Sequence, residues 1–359
     1  MGGLRVLLAI SVVFSHMKST HGLGFYPGNM AVEMFFMISG FYMSLILSKK
    51  YSTGSMAGIG NFYASRFFRL WPIFIITSAA VVAWWYAASI VLGHRPMSAG
   101  PVAEYLDNRF IEGLIYLSDV IMLGQDLPAL FHVSADHVLK LTFGPGEALP
   151  DGSLSLVGFV NIGQAWSIGT EIWFYLLAPF FMRRSWVVLV LIMACCLVLR
   201  YAMDANGFMV YFFFPTQLPL FLAGMLGYRL NSRWINPTMA AVCLAVIFAG
   251  SIAFGAADAV DQSFKWVLYG FVALTIPAIF RLTRVSSVDR TIGELSYPIY
   301  ITHILLQVML AAVAKRLGFT PTVELLVVVV GCVSWILYVY VDRPVQAWRE
   351  RFAKPPKAS

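Results

Sequence analysis

Long apolar runs separated by short polar connections make up most of the chain. Runs approaching the roughly 20 residues needed for a spanning helix begin near residues 4, 29, 72, 166, 186, 209, 235, 266, 293 and 322. Polar and apolar positions do not alternate within them as they would in the strands of a membrane barrel. The pattern therefore predicts an all-α, polytopic integral membrane bundle of about ten transmembrane helices. The first run, Val6 to Phe14, follows Arg5 and lacks a small-residue cleavage site. It reads as an uncleaved first helix and not as a signal peptide.

Residues 94–165 break this rhythm. They gather nearly half of the acidic residues, three histidines, and the loop-forming runs Phe143-Gly144-Pro145-Gly146 and Pro150-Asp151-Gly152-Ser153. Phe110 to Leu123 is apolar but short, and it carries Glu112 and Asp119, so it predicts a helix on the membrane surface or packed over the bundle. Residues 1–349 thus read as one transmembrane domain that includes this segment, followed by a short cytoplasmic tail, 350–359.

Composition agrees with the pattern and removes alternatives. Hydrophobic residues make up 59% of the chain and charged residues only 12%; with a mean hydropathy of +0.76, too few charges remain to cover a soluble surface of this size. The net charge of +7 could indicate nucleic acid, but the basic residues form no dense cluster. Instead they collect at alternate connections, among them Lys49, Lys50, Arg66, Arg69, Arg183, Arg184, Arg229, Arg281 and Arg284. By the positive-inside rule this places both termini in the cytoplasm and residues 94–165 outside. The smaller basic set, including Arg95, Arg109, Lys140 and Arg200, falls in the connections read as outer. Cys195, Cys196, Cys243 and Cys332 all lie in apolar runs, which gives neither a disulfide framework nor a zinc site.

Ionisable groups inside spans are costly, and each is a functional candidate. His16, Glu33, Glu171, Glu294 and His303 are such groups. Arg5 and His16 stand eleven positions apart, which brings them within about 20° of one helix face and roughly 16 Å apart along the axis. Glu33 and Glu171 enter from the outer ends of their helices, at a depth similar to His16. A carboxylate beside a histidine can orient one ring nitrogen and raise the basicity of the other, as a general base requires; a plain interhelical hydrogen bond is the alternative. His303 is expected near the midplane, lining a cavity or making a structural hydrogen bond. His132, Asp136 and His137 read as a solvated loop, because their spacing does not suit a metal. There is no G-x-S-x-G elbow, phosphate loop or H-E-x-x-H.

Several stretches resemble the membrane acyltransferase family 3, which includes O-antigen acetylases and the enzymes that acetylate exopolysaccharides and nodulation factors. They are Arg5 with His16; Val32-Glu33-Met34-Phe35-Phe36-Met37-Ile38-Ser39-Gly40-Phe41; and Phe62 to Pro72 with Arg66 and Arg69. Trp166-Ser167-Ile168-Gly169-Thr170-Glu171 with Phe174-Tyr175, then Leu295 to His303, then Asp342-Arg343-Pro344 follow in the family's order. Glu33 and Asp342 stand where the resemblance more often has Asp and Glu. It implies a multi-pass protein of the inner (plasma) membrane that transfers an acyl group, commonly acetyl from acetyl-CoA, to a hydroxyl of a cell-envelope carbohydrate or glycolipid, without a metal.

His16, Arg5 and Glu171 would then be catalytic, and Arg5, Arg66 and Arg69 would hold the phosphates of CoA. Glu33, Ser39, Trp166, Tyr297 and His303 would form a substrate-facing or structural polar core. The outer segment, with Tyr105, Tyr116, Phe131 and Asp136, would meet the acceptor. A transporter or flippase is the competing expectation, with the same charges lining a path; Pro215 and Pro219 interrupt the sixth run, but no repeated halves are visible.

Overall fold

The computed structural model describes residues 1–17, 19, 22–51, 55–92, 108–141, 152–203, 207–230, 234–256 and 262–352. Tyr105, Arg95 and most of the two loop-forming runs between 143 and 153 lie outside them. The protein is an all-α polytopic membrane protein. Among the described residues, six helical stretches are long and apolar enough to cross a membrane: Gly28–Lys49, Met56–Ile90, Pro237–Gly255, Phe264–Thr283, Ser287–Leu317 and Val323–Arg349. Gly2–His16 and Trp186–Ala202 are shorter apolar helices.

Two compact units are formed. The first comprises Met1–Leu70, Ala178–Leu189 and Leu220–Ser359, and the second Trp71–Leu177 and Val190–Pro219. The first holds α1 (Gly2–His16), α2 (Gly28–Lys49), the start of α3 (Met56–Leu92), most of α8 (Phe214–Leu230), α9 (Pro237–Ala256), α10 (Gln262–Thr283), α11 (Ser287–Glu294), α12 (Ser296–Leu317), α13 (Val323–Leu337) and α14 (Arg343–Phe352). Lipid tails are as apolar as leucine, so burial alone gives little drive for helix association in the bilayer; close backbone approach must supply it. Small residues do so here. A Cβ on Gly40 of α2 would meet the Phe221 backbone of α8, with the Cα at 3.0 Å, and one on Gly224 would lie 2.9 Å from the Phe41 amide. The Ser39-Gly40-Phe41 motif is therefore a packing seam as well as a sequence mark. Ala9 and Val13 of α1 pack with Ile299 of α12 and with Val323, Leu326 and Val330 of α13. The N-terminal end of α1 is held by Asp289 of α11, whose carboxylate accepts from the Gly2 and Gly3 amides at 2.8 and 2.9 Å, which satisfies donors that have no partner within the helix.

The second unit contains the rest of α3, α4 (Arg109–Ile121), most of α5 (Trp166–Met182) and α6 (Trp186–Ala202), and α7 (Gly207–Phe212). Asn108 caps α4 by accepting from the Phe110 and Ile111 amides. This helix buries Ile115 against Val133, Leu156, Phe159 and Val160 and leaves Phe110, Leu114, Leu117 and Val120 exposed. It is thus the short, amphipathic, non-spanning helix that its charges predicted. A small antiparallel sheet follows, β1 (Phe131–Val133) between β2 (Leu139–Leu141) and β3 (Leu154–Ser155).

Four expectations need correction. His132 is a buried strand residue and not part of a solvated loop; only the Asp136-His137 turn is exposed, with His137 at φ 59°. The third helix does not start with its apolar run near residue 72, because α3 is already helical from Met56 and carries Pro72 inside it. Instead of one interrupted sixth span there are two helices, α7 and α8, separated at Phe213. Arg200 is not a connecting residue. It is buried in α6 and donates to the Thr216 carbonyl at 3.0 Å and Gln217 Oε1 at 3.3 Å, and Gln217 Nε2 in turn donates to the Val210 and Tyr211 carbonyls freed by that break, at 3.0 and 2.9 Å.

Candidate active site

The first unit concentrates its polar side chains at the two ends of α1. His16, on the last turn, is exposed and stands against His303 of α12, with ring centroids 5.1 Å apart and planes tilted by 45°. Parallel progress of α1 and α12 puts them level: Gly2 adjoins Gly293 just before α12, and further along Gln307 Nε2 donates to the His16 carbonyl at 3.1 Å. That carbonyl has no partner within its own helix, so Gln307 fixes the end that carries the histidine. His303 is wholly buried. Its Nδ1 lies 2.6 Å from the Tyr300 carbonyl. A carbonyl can only accept, so Nδ1 carries the proton in the neutral ring and Nε2 carries a lone pair. Among the described residues Nε2 has no hydrogen-bond partner. Glu33, buried in α2, accepts from the Tyr269 hydroxyl of α10. Ser39 is buried one turn and a half further along α2.

Toward the other end of α1 lies an ion cluster that its members' distance in sequence conceals. Arg69 of α3 pairs with Glu294 of α11 and stands 3.5 Å from Asp342. Gln346 of α14 bridges the two acids, donating at 3.0 Å to Glu294 and 2.9 Å to Asp342. Asp342 ends a π-helical turn, Tyr338–Asp342, and the extra residue per turn changes the face on which the following positions emerge. Arg349 donates to the Ser65 carbonyl at 3.0 Å, and Arg66 reaches Ser65 Oγ at 3.3 Å. Arg5 joins this neighbourhood, since a Cβ on Gly293 would lie 3.7 Å from its guanidinium and its charge acts on Glu294. Tyr297 donates to the Leu70 carbonyl at 2.8 Å, tying the start of α12 to α3 just beyond the arginine pair.

Glu171 and Trp166 belong to the second unit. Glu171 accepts from the Tyr175 hydroxyl at 2.6 Å, one turn along α5. Trp166 is buried against Tyr211 and Phe212 of α7, with centroids at 4.5 and 4.7 Å. Gly169 between them is a contact point: a Cβ there would sit 2.8 Å from both the amide and Oδ1 of Asp126, and Trp173 donates to the same Oδ1 at 3.1 Å. The outer loop is therefore seated directly on the Trp166–Glu171 motif. Burial raises the Asp126 carboxyl to about 6, and Asp119, which accepts from Gln125 at 3.1 Å and the Asn161 amide at 3.2 Å, is raised to about 6 for the same reason. Of the proposed acceptor-facing groups, Tyr116 and Asp136 are exposed and Phe131 is half-buried.

The family profile described as "Acyltransferase domain" (acyltransferase 3) matches residues 1–341. The chain belongs to the acyltransferase 3 family. The chain is also 29% identical over 123 residues to "Protein 2 in picA locus" of Rhizobium radiobacter, a match covering 32% of the chain and 61% of that relative. No solved structure matches. The protein is accordingly a multi-pass membrane member of that family, and the chain spans less than two thirds of the length of the relative it matches. Glu294, Asp342 and Gln346 are the residues of its site that sequence reasoning left without a role. Asp342 lay in a family-like motif and Glu294 was an intramembrane acid, but only the fold shows that both face Arg69.

Proposed function

We propose that this acyltransferase moves an acyl group, with acetyl the expected one, from acyl-CoA to a hydroxyl of a cell-envelope carbohydrate or glycolipid at the inner (plasma) membrane. The single observation that carries this reading is the exposed His16 ring, backed by His303 on a helix end whose carbonyl Gln307 holds, while Arg5 on the same helix joins a basic mouth. In the transfer, the acceptor O–H bond breaks as its proton passes to an imidazole nitrogen of His16, and the oxygen forms a bond to the thioester carbonyl carbon. The tetrahedral intermediate then expels sulfur, and the proton carried by His16 leaves with the CoA thiol, so no further reactant is needed.

Arg5 and Arg66 supply positive charge for the donor's phosphates. Arg69 is already committed to Glu294 and Asp342, and so shapes the mouth on which those cations sit. Glu171 is assigned to orienting the acceptor on the strength of its motif, and Glu33, Ser39 and Tyr297 to the supporting polar core. His16→Ala should lower acyl transfer by about 10²- to 10⁴-fold, the usual contribution of a general base, in a protein that still inserts and folds. Near-normal transfer by that variant rules the role out.

A further inference from the structure

A cleft of about 520 Å³ opens at the ends of α2, α8 and α10, lined by Phe41, Leu45, Lys49, Tyr228, Arg229, Pro277, Phe280, Arg281 and Arg284. Its size is that of a small-molecule site. Four of the lining side chains are cations and none is an acid. Arg229 and Arg281 are braced, Arg229 donating to the Phe181 and Met182 carbonyls at 3.3 and 3.2 Å and Arg281 to the Ile235 carbonyl at 3.2 Å. Bonds to carbonyls orient a guanidinium without cancelling its charge. Lys49 and Arg284 are exposed at the rim. The floor is aromatic: Phe41 contacts Tyr228 at 5.7 Å and Phe280 at 5.3 Å between centroids. A contact of the cleft floor also lies near the charges at the Arg5 end of α1. Tyr42 contacts Phe280 at 5.9 Å, and it lies in the field of Arg5, Glu294 and Arg69.

We infer that this cleft binds the phosphate-bearing nucleotide end of the acyl donor, with the cations on its phosphates and the ring wall against its base. The inference rests on the acyl-CoA reading above and deepens it. A lipid headgroup offers a phosphate too, but it brings no flat ring for the Phe41, Tyr228 and Phe280 wall. Two carboxylates answer Arg69, whereas no acid lines this cleft beside its four cations.

The test is calorimetric titration of CoA into the full-length protein in nanodiscs of neutral phosphatidylcholine, comparing wild type, Lys49→Gln/Arg284→Gln and Arg290→Gln. The first variant removes two exposed rim cations. Arg290 is an exposed cation outside the cleft and serves as the control. CoA affinity should weaken at least about tenfold in the double variant, in keeping with loss of two partly screened charge-assisted contacts. It should be unchanged in the control, and the donor KM of the double variant should rise with kcat within about twofold of wild type. Unchanged CoA affinity in the double variant overturns the cleft assignment and leaves the donor reading standing, whereas a wild type that does not bind CoA overturns both. If only the stabilisation by added phosphatidylglycerol is lost, the cleft is a lipid-headgroup site and the inference fails. An equal loss in Arg290→Gln reduces it to bulk charge.

Discussion

His16 and His303 show how far a single position can be read. The eleven-residue spacing put Arg5 and His16 on one helix face, and the structure keeps them at the two ends of α1. What spacing could not give was the partner: His303 lies on another helix, and its Nε2 lone pair follows only from the Tyr300 contact. His303→Phe should lower kcat about tenfold by removing that neighbour, whereas His303→Gln, which keeps a donor for the Tyr300 carbonyl, should recover part of the loss; equal kcat in both variants and wild type would deny His303 a positioning role. The acids of the outer segment lend themselves to a pH test. Asp119 and Asp126 are held at about 6 by burial, above the usual 3.8. An acid whose folded pKa is raised favours the fold most below pH 3.8, and this contribution is lost as pH rises through about 6. At pH 7.5 the buried Asp119 charge therefore costs up to about 3 kcal/mol. Asp119→Asn keeps an acceptor for Gln125 and Asn161, so it should raise the unfolding temperature at pH 7.5 and give little or no gain at pH 4.5. A gain that is the same at both values would refute the buried-charge account.

At the scale of elements, hydropathy located the helices well and their ends poorly. α3 begins well before its apolar run because Met56–Leu70 lies among partners from α14, including Arg349 and Trp348, and local hydropathy carries no record of that. The α7–α8 break was signalled by Pro215 and Pro219, but its compensation by Gln217, held in place by Arg200, was not. Short strands such as Leu154–Ser155 hold too few residues to show alternation. Glycines of the family-like motifs are explained by contact: Gly169 by the Asp126 loop, Gly40 by α8. Gly40→Leu should force α2 and α8 apart, lowering stability by about 1–3 kcal/mol or more, as overpacking does. Thermal unfolding in detergent reads this out, and a wild-type midpoint would show that the two backbones do not pack as closely as the fold has them.

Across the whole molecule, the scarcity of charge separates into three roles. Many basic residues stand at alternate connections, as orientation requires. A second set answers itself in the Arg69, Glu294 and Asp342 cluster, which the sequence conceals because Arg69 lies more than two hundred positions from either acid. On the function proposed above the remainder faces substrates: His16 at one end of α1, Arg5 and Arg66 toward the other, and the cleft cations. This division favours group transfer over transport, since it pairs an exposed base with anion-holding cations in a chain that belongs to an acyltransferase family. The most direct measurement supplies acetyl-labelled acetyl-CoA to sealed membranes containing the protein, together with envelope carbohydrate, and follows the label. Label in an alkali-labile ester on the carbohydrate with wild type, and none with His16→Ala, is the predicted result. Label that crosses the membrane without forming an ester, or ester formation equal in the two proteins, would contradict it.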